Sequence, residues 1–387
     1  MKIKKKELEL YIVWGIYLTA YMWLVMSEFA FTYDTSDLFS TVRNFTFILF
    51  GFIILQNKYK IKMVMRVGLF AVVIGISVLF SHALSFLMII IVGVAIGNID
   101  FRNFVKFDYR LKIAILISIV LCCKIGLIHN YTVSINGIEK QSLGFSHPNT
   151  LGLFISVIII EWLYIHFNTI RLKNIICIIF LIMGLYYIGT SRTSLILLMF
   201  ITVWSLLLQS NKIRTLLSGK VFEKFMSLLP AIICLLCYLS AIAYKKSSLI
   251  WNALDKIFTT RIYWASYYLK TYGVKMFGSR INPVSSRNAL AVGVTQSNSL
   301  DMAYVRIGVQ YGLIVLLVFV MALIVLQTYA VKKKNWGLLI ANTFFILLGI
   351  VENYIYSVAM NVFLICIIYA ISGTLSKNNV NSSEGIL

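Results

Sequence analysis

Residues 302–329 read MAYVRIGVQYGLIVLLVFVMALIVLQTY, and no charged side chain interrupts the chain from Ile307 to Val331. A helix needs about 20 apolar residues to cross a hydrocarbon core about 30 Å thick. This stretch satisfies that condition, and it is not alone. Runs of the same kind lie near 10–30, 38–57, 63–80, 83–97, 111–129, 148–167, 172–190, 191–208, 227–244, 336–352 and 354–376. The hydropathy pattern therefore predicts about twelve membrane spans and a single integral membrane domain over 1–387. Composition agrees: 60% of the 387 residues are hydrophobic and 13% charged, with a mean hydropathy of +0.88. Soluble domains carry about 45–50% apolar and about 25% charged residues. A soluble enzyme, a secreted domain and a disordered chain are excluded. The apolar N-terminal run is too long for a cleaved signal peptide and no small-x-small site follows it.

The formal charge is +21, from 35 Lys+Arg against 14 Asp+Glu. Such an excess can mark a nucleic-acid binder, but here most of it sits in short loops between apolar runs, so no nucleic-acid partner is expected. Placing the N-terminus (Lys2, Lys4, Lys5, Lys6) in the cytoplasm puts basic residues in every inside loop, as the positive-inside rule requires. These are Lys58, Lys60, Lys62 and Arg66, then Arg102, Lys106, Arg110 and Lys112, then Arg171 and Lys173. Lys212, Arg214, Lys220 and Lys224 follow, then Lys332, Lys333 and Lys334. The expected location is the cytoplasmic membrane, with both termini and the polar tail 377–387 in the cytoplasm. Two longer outside segments follow from this threading, 130–147 and 245–301. Within the second, Leu249–Tyr272 places Trp251, Leu254, Ile257, Phe258, Ile262, Trp264 and Tyr268 at roughly helical spacing. That predicts an amphipathic helix at the outer leaflet, followed by loop from Gly273 to Asn298. The six cysteines all fall in apolar runs. Cys234-x-x-Cys237 lacks a second ligand pair, and no metal site is expected.

Three stretches gather polar groups at the expected outer face. Gly144-Phe-Ser-His147-Pro148-Asn149-Thr-Leu-Gly152 enters a span. Pro148 suits a first helical position, with Ser146 or His147 as cap, yet His147 beside Asn149 is more than a cap requires, and histidine exchanges protons near neutral pH. Gly189-Thr190-Ser191-Arg192-Thr193-Ser194 places an arginine among hydroxyls between two apolar spans. Arg192 either snorkels to headgroups or faces a polar pocket or anion, since burial in the bilayer is costly. The third group comprises Arg261, Tyr263 and Trp264 in the long loop, with Asp301, Tyr304 and Arg306 at the start of the run quoted above. An interfacial belt of Tyr, Trp and Arg is the plain alternative. Glu28 and Glu352, near outer helix ends, are further pocket candidates. Together with Arg280 and Arg287 these residues describe a basic outer vestibule. Guanidinium forks suit phosphate oxygens, and aromatic faces suit sugar rings. His82, His129 and His166 read as interfacial residues.

These motifs, above all His147-Pro148-Asn149 followed by Ser191-Arg192-Thr193, with Arg261-x-x-Trp264 and Asp301-x-x-Tyr304-x-Arg306-x-Gly308, resemble the Wzy-type polysaccharide repeat-unit polymerases and the related O-antigen ligases. The resemblance spans most of the chain. It implies an all-α polytopic, GT-C-like membrane protein with one large outer loop. It also implies a metal-independent glycosyltransferase without cofactors, acting on undecaprenyl-diphosphate-linked oligosaccharide to build capsular, O-antigen or exopolysaccharide. Arg192, Arg261 and Arg306 would hold the diphosphates; His147 or Asp301 would take the acceptor proton. Asn149, Ser191, Thr193, Trp264, Tyr304, Arg280 and Arg287 would support the pocket. Membrane lipid and a chain-length regulator would be further partners. The ligase branch carries a catalytic histidine in its large outer loop, and 245–301 contains none. The alternatives are a lipid-linked oligosaccharide flippase or transporter, a ligase, and a scaffold of an export complex.

Overall fold

A computed structural model describes residues 5–97, 99–135, 138–188, 192–284 and 298–372. The chain is a helical membrane protein, and its only sheet among these residues is the antiparallel hairpin of β1 (Thr132–Ile135) and β2 (Ile138–Gln141). The helices are α1 (Lys5–Tyr21), α2 (Phe29–Tyr33), α3 (Ser36–Leu55), α4 (Ile61–Ser81), α5 (Ser85–Ile96), α6 (Phe101–Lys124) and α7 (Pro148–His166). They continue with α8 (Leu172–Ile188), α9 (Arg192–Leu207), α10 (Asn211–Leu217), α11 (Lys220–Ala243), α12 (Leu249–Ile257) and α13 (Arg261–Tyr272). The last four are α14 (Ala303–Arg306), α15 (Leu313–Lys332), α16 (Trp336–Leu348) and α17 (Ile365–Ser372). Many starts follow from local chemistry. Asp100 caps α6 by accepting from the Asn103 N–H at 3.0 Å, and Asn335 caps α16 by accepting from the Leu338 N–H at 3.1 Å.

The expected twelve spans are not found. Six helices are long and apolar enough to cross a membrane, or seven if Thr193–Leu207 and Asn211–Leu217, bent by 106°, form one span. Four expected spans are instead shorter apolar helices of 10–17 residues: Ser85–Ile96, Leu172–Tyr186, Trp336–Leu348 and Val362–Ile371. At 1.5 Å per residue Ser85–Ile96 and Trp336–Leu348 fall short of a hydrocarbon core about 30 Å thick. Hydropathy counts apolar side chains and does not register where the backbone breaks. The run 302–329 is itself broken: α14 passes into a π-turn at Ile307–Tyr311, and Gly312, at φ +100°, separates it from α15.

The burial pattern is that of a bundle surrounded by lipid. Helices α7 and α16 form the interior, with nearly every residue of α16 buried, while α3 and α4 expose Leu55, Leu69, Val72 and Leu79. An exposed apolar rim around an apolar core is stable only where lipid replaces water.

The described residues of 245–301 do not form a separate outer loop. Helix α13 packs on α11 and α14, burying Ile262, Ala265 and Tyr268. The irregular segment after it is strapped to the π-turn: the Ser279 N–H donates to Gln310 O at 3.1 Å and the Leu313 N–H to Lys275 O at 2.9 Å. Contact is so close that a Cβ at Gly278 (φ +89°) would lie 2.1 Å from Gln310 O. Helix α12 leaves Leu249, Ile250 and Ile257 exposed.

Lys112 also differs from expectation. The positive-inside pattern places it in an inside loop, but it lies within α6, fully buried, 2.6 Å from Asp108 Oδ2 on the same helix and 2.5 Å from Glu161 Oε1 on α7. Trp14 Nε1 of α1 donates to Asp108 Oδ1 at 2.8 Å. The cluster ties three helices together where their apolar neighbours offer no other partner for a charge.

Candidate functional site

At one end of the bundle the last turn of α1, the N-terminus of α7, the N-terminus of α13, residues 299–306 and the stretch beyond α16 enclose a cavity of about 440 Å³. Of the residues singled out in the sequence it is lined by Ser146, His147, Asn149, Arg261, Asp301, Arg306 and Glu352. Tyr21, Thr150, Ser299, Asn353 and Tyr354 add to its polar wall.

His147 is positioned by the turn before it. Gly144 adopts φ +89° where a Cβ would sit 2.9 Å from Cys123 Cβ and 3.0 Å from Ile119 O, so glycine alone fits without strain. The Glu28 N–H donates to Gly144 O at 2.8 Å and the Ser146 N–H to Met26 O at 2.9 Å. These bonds lay the His147 turn across the π-turn Met22–Met26 that ends α1. His147 then caps α7, its Nδ1 accepting from the Asn149 N–H at 3.1 Å, with Pro148 in the first helical position. An Nδ1 that accepts leaves the neutral ring's proton on Nε2, so in this arrangement His147 offers a donor at Nε2.

Arg261 opens α13 after two consecutive left-handed residues, Thr259 (φ +51°) and Thr260 (φ +63°). β-branched side chains rarely adopt such angles, and the surroundings must hold them there. Asp255 does so by accepting from the Ile262 and Tyr263 N–H groups, each at 3.0 Å. The Arg261 guanidinium, 9% exposed, donates from Nη2 to Glu352 Oε1 at 2.8 Å, and its Nε lies 3.9 Å from Asp301 Oδ2. Its Nη1 reaches the Thr259 hydroxyl. Asp301 also accepts from the Ser299 hydroxyl. The Ala303 N–H, donating to Gly349 O at 2.9 Å, holds this segment against the end of α16.

Arg306 sits where α14 becomes a π-turn, a geometry often found at functional sites. Its Nε donates to Gln310 Oε1 at 3.0 Å and its Nη1 to Leu300 O at 3.4 Å. Glu352 lies four residues beyond the last residue of α16, outside the helices. Burial pushes its carboxyl up to about 7, against the pull of Arg261.

The expected basic vestibule is corrected here. Of its three described arginines, Arg261 and Arg306 line the cavity and Arg280 does not, and two carboxylates face the first two. Arg280 is exposed and off the lining. Arg287, Ser191 and the Arg192 side chain lie outside the described residues, as does the tail 377–387. Tyr304 is fully buried, its hydroxyl donating to Ile346 O at 3.1 Å, and does not reach the cavity. Trp264 packs edge-on to Tyr263 and Tyr267, and Thr193 is half-buried; neither lines it. Glu28 is buried beside the His147 turn but off the lining.

Tyr21 and Tyr354 carry no signal in the sequence, because aromatics at span ends are ordinary interfacial residues. Glu352 was visible as an acid at a helix end, but its pairing with Arg261 was not. Among the described residues no group of three or more His, Cys, Asp or Glu is placed to hold a metal ion. Two guanidinium groups, two carboxylates and an imidazole in a half-open polar cavity can bind an oxyanion and accept a proton beside it. Comparison of the chain with known protein families, with curated proteins and with solved structures finds no match in any of the three.

Proposed function

We propose that this chain is a GT-C-like membrane glycosyltransferase that polymerises undecaprenyl-diphosphate-linked oligosaccharide repeats at the outer face of the cytoplasmic membrane, with both termini cytoplasmic. Convergence of His147, Arg261, Asp301, Arg306 and Glu352, drawn from four separate parts of the chain, in one cavity carries this reading. The acceptor sugar hydroxyl attacks the anomeric carbon of the donor glycan. The bond from that carbon to the diphosphate oxygen breaks, and the lipid diphosphate leaves. Arg306 and Arg261 stabilise the leaving charge. Asp301, the more exposed of the two carboxylates at 27% against 11%, takes the acceptor proton, and His147 donates from Nε2 to a sugar or phosphate oxygen. Arg192 is retained as a third diphosphate ligand.

The test replaces His147, Arg192, Arg261, Asp301 and Arg306 singly and follows polymer length in cells at matched expression. Shortened or absent polymer is expected. Unchanged length for all five ends the proposal.

A transporter of the same lipid-linked substrate is a second reading, favoured by the buried Asp108–Lys112–Glu161 cluster, since ionisable groups within a membrane bundle often mark a translocation path. Deletion strains separate the two. Loss of a polymerase leaves single repeats exported and attached, whereas loss of a flippase traps them inside.

A further inference from the structure

A second cavity, about 520 Å³, opens between α6 and α7 and is lined by Lys106, Tyr109 and Arg110 from one helix and Trp162, Ile165 and His166 from the other. Both triplets follow i, i+3, i+4 spacing, so each helix presents one continuous face to the cleft. The charge balance differs from that of the first cavity, where two carboxylates face two arginines. No acidic side chain lines this one. Among the described residues neither Lys106 nor Arg110 has a carboxylate within ion-pair distance. The nearby acids Asp108 and Glu161 are turned into the bundle and engaged by Lys112. The C-terminal carbonyls of α7, which would repel an anion, are partly occupied: Arg102 Nη2 donates to Ile165 O at 2.7 Å, and His166 Nδ1 lies 3.1 Å from Trp162 O. His166 stacks on Trp162 with centroids 4.9 Å apart.

We propose that this cleft seats the phosphate headgroup of an anionic membrane lipid, with an acyl chain lying along α6. The α6 face decides between a lipid and a free phosphate. Beyond Lys106 and Arg110 the same face continues through Ile113, Ile117 (52% exposed) and Leu121 (56% exposed). At 100° per residue these five positions fall within a narrow arc. Two cations followed by an unbroken apolar stripe match the shape of an amphiphile and not of a soluble anion. Trp162 and Tyr109 line the cleft beside the cations, and such aromatic rings favour the headgroup level of a bilayer. Basic pockets between membrane helices recognise anionic headgroups by this charge complementarity.

The experiment uses the full chain in phosphatidylcholine nanodiscs, titrated with phosphatidylglycerol and read by native mass spectrometry of the released protein. One phosphatidylglycerol is expected to remain bound where phosphatidylcholine is stripped. Lys106→Gln with Arg110→Gln should weaken its retention roughly tenfold or more, given the attraction of each cation for an anionic headgroup. Lys106→Arg with Arg110→Lys should keep it. Because Arg110 is exposed, Arg110→Gln alone supplies the measurement if the double variant fails to fold, and a severalfold loss is expected. Equal retention of the two lipids, unchanged retention in the Gln variants, or displacement of the lipid by millimolar inorganic phosphate overturns the proposal.

Discussion

Arg261 and Glu352, 91 residues apart in the chain, meet at 2.8 Å, and Asp301 Oδ2 lies 3.9 Å from the same guanidinium's Nε. One cation thus faces two carboxylates in a largely buried site. An anionic substrate approaching this cavity must compete with Glu352 for Arg261, and the protonation of Glu352 decides how strongly that competitor binds.

The first prediction follows from the Glu352 carboxyl being raised to about 7 by burial. Above that pH the carboxylate neutralises Arg261. Below it, the neutral acid frees the guanidinium. Affinity for a soluble prenyl diphosphate, measured by calorimetry, should fall as pH rises through about 7, and Glu352→Gln should abolish that step. Its stability contribution has the same sign. A folded-state value above the ordinary 4.5 means the folded chain holds a proton the unfolded chain releases, so this group disfavours folding increasingly as pH rises from 4.5 to about 7.

Arg261 and Arg306 should separate in a stability assay. Removing one partner of a buried pair strands the other, at about 3–5 kcal/mol. Arg261→Ala strands Glu352 and should lower the thermal midpoint markedly as well as abolishing polymer growth. Among the described residues Arg306 bonds neutral oxygens, Gln310 Oε1 and Leu300 O, and Arg306→Ala should reduce polymer growth with a smaller loss of stability.

His147 combines a cap with an imidazole in the cavity wall. Asparagine can accept the same backbone N–H, so His147→Asn should fold normally, whereas His147→Ala should lose about 0.5–2 kcal/mol. Polymer length in the Asn variant then isolates the ring's chemistry. Full-length polymer would reduce His147 to a helix cap.

The Asp108–Lys112–Glu161 cluster holds two acids and one base, all fully buried. Lys112→Met removes the single cation and leaves two acids without it, and should cost about 3–5 kcal/mol. Glu161→Gln leaves a balanced Asp108–Lys112 pair and should be the milder change. Thermal midpoints in detergent test the ranking, and an equal or larger loss for Glu161→Gln would refute it.

Several features of this molecule were legible from residue order. Long apolar runs announce membrane helices because each span must satisfy its own backbone. His147-Pro148-Asn149 announces a helix start because capping is local. His147, Asn149, Arg261, Asp301 and Arg306 stand out in their motifs as polar groups beside apolar runs, and all five line the cavity. The span count was not legible. Trp336–Leu348 and Ser85–Ile96 are as apolar as any span, but buried neighbours, not lipid, cover them.

Membrane residence and the identity of most polar groups at the site are properties of the linear chain, since both depend on side-chain chemistry summed over short windows. The pairing of Arg261 with Glu352, the neutral balance of the cavity and the sinking of Lys112 between two carboxylates belong to the packed bundle alone. Charges far apart in sequence acquire partners only when the backbone brings them within a few ångströms, where desolvation makes such pairing obligatory.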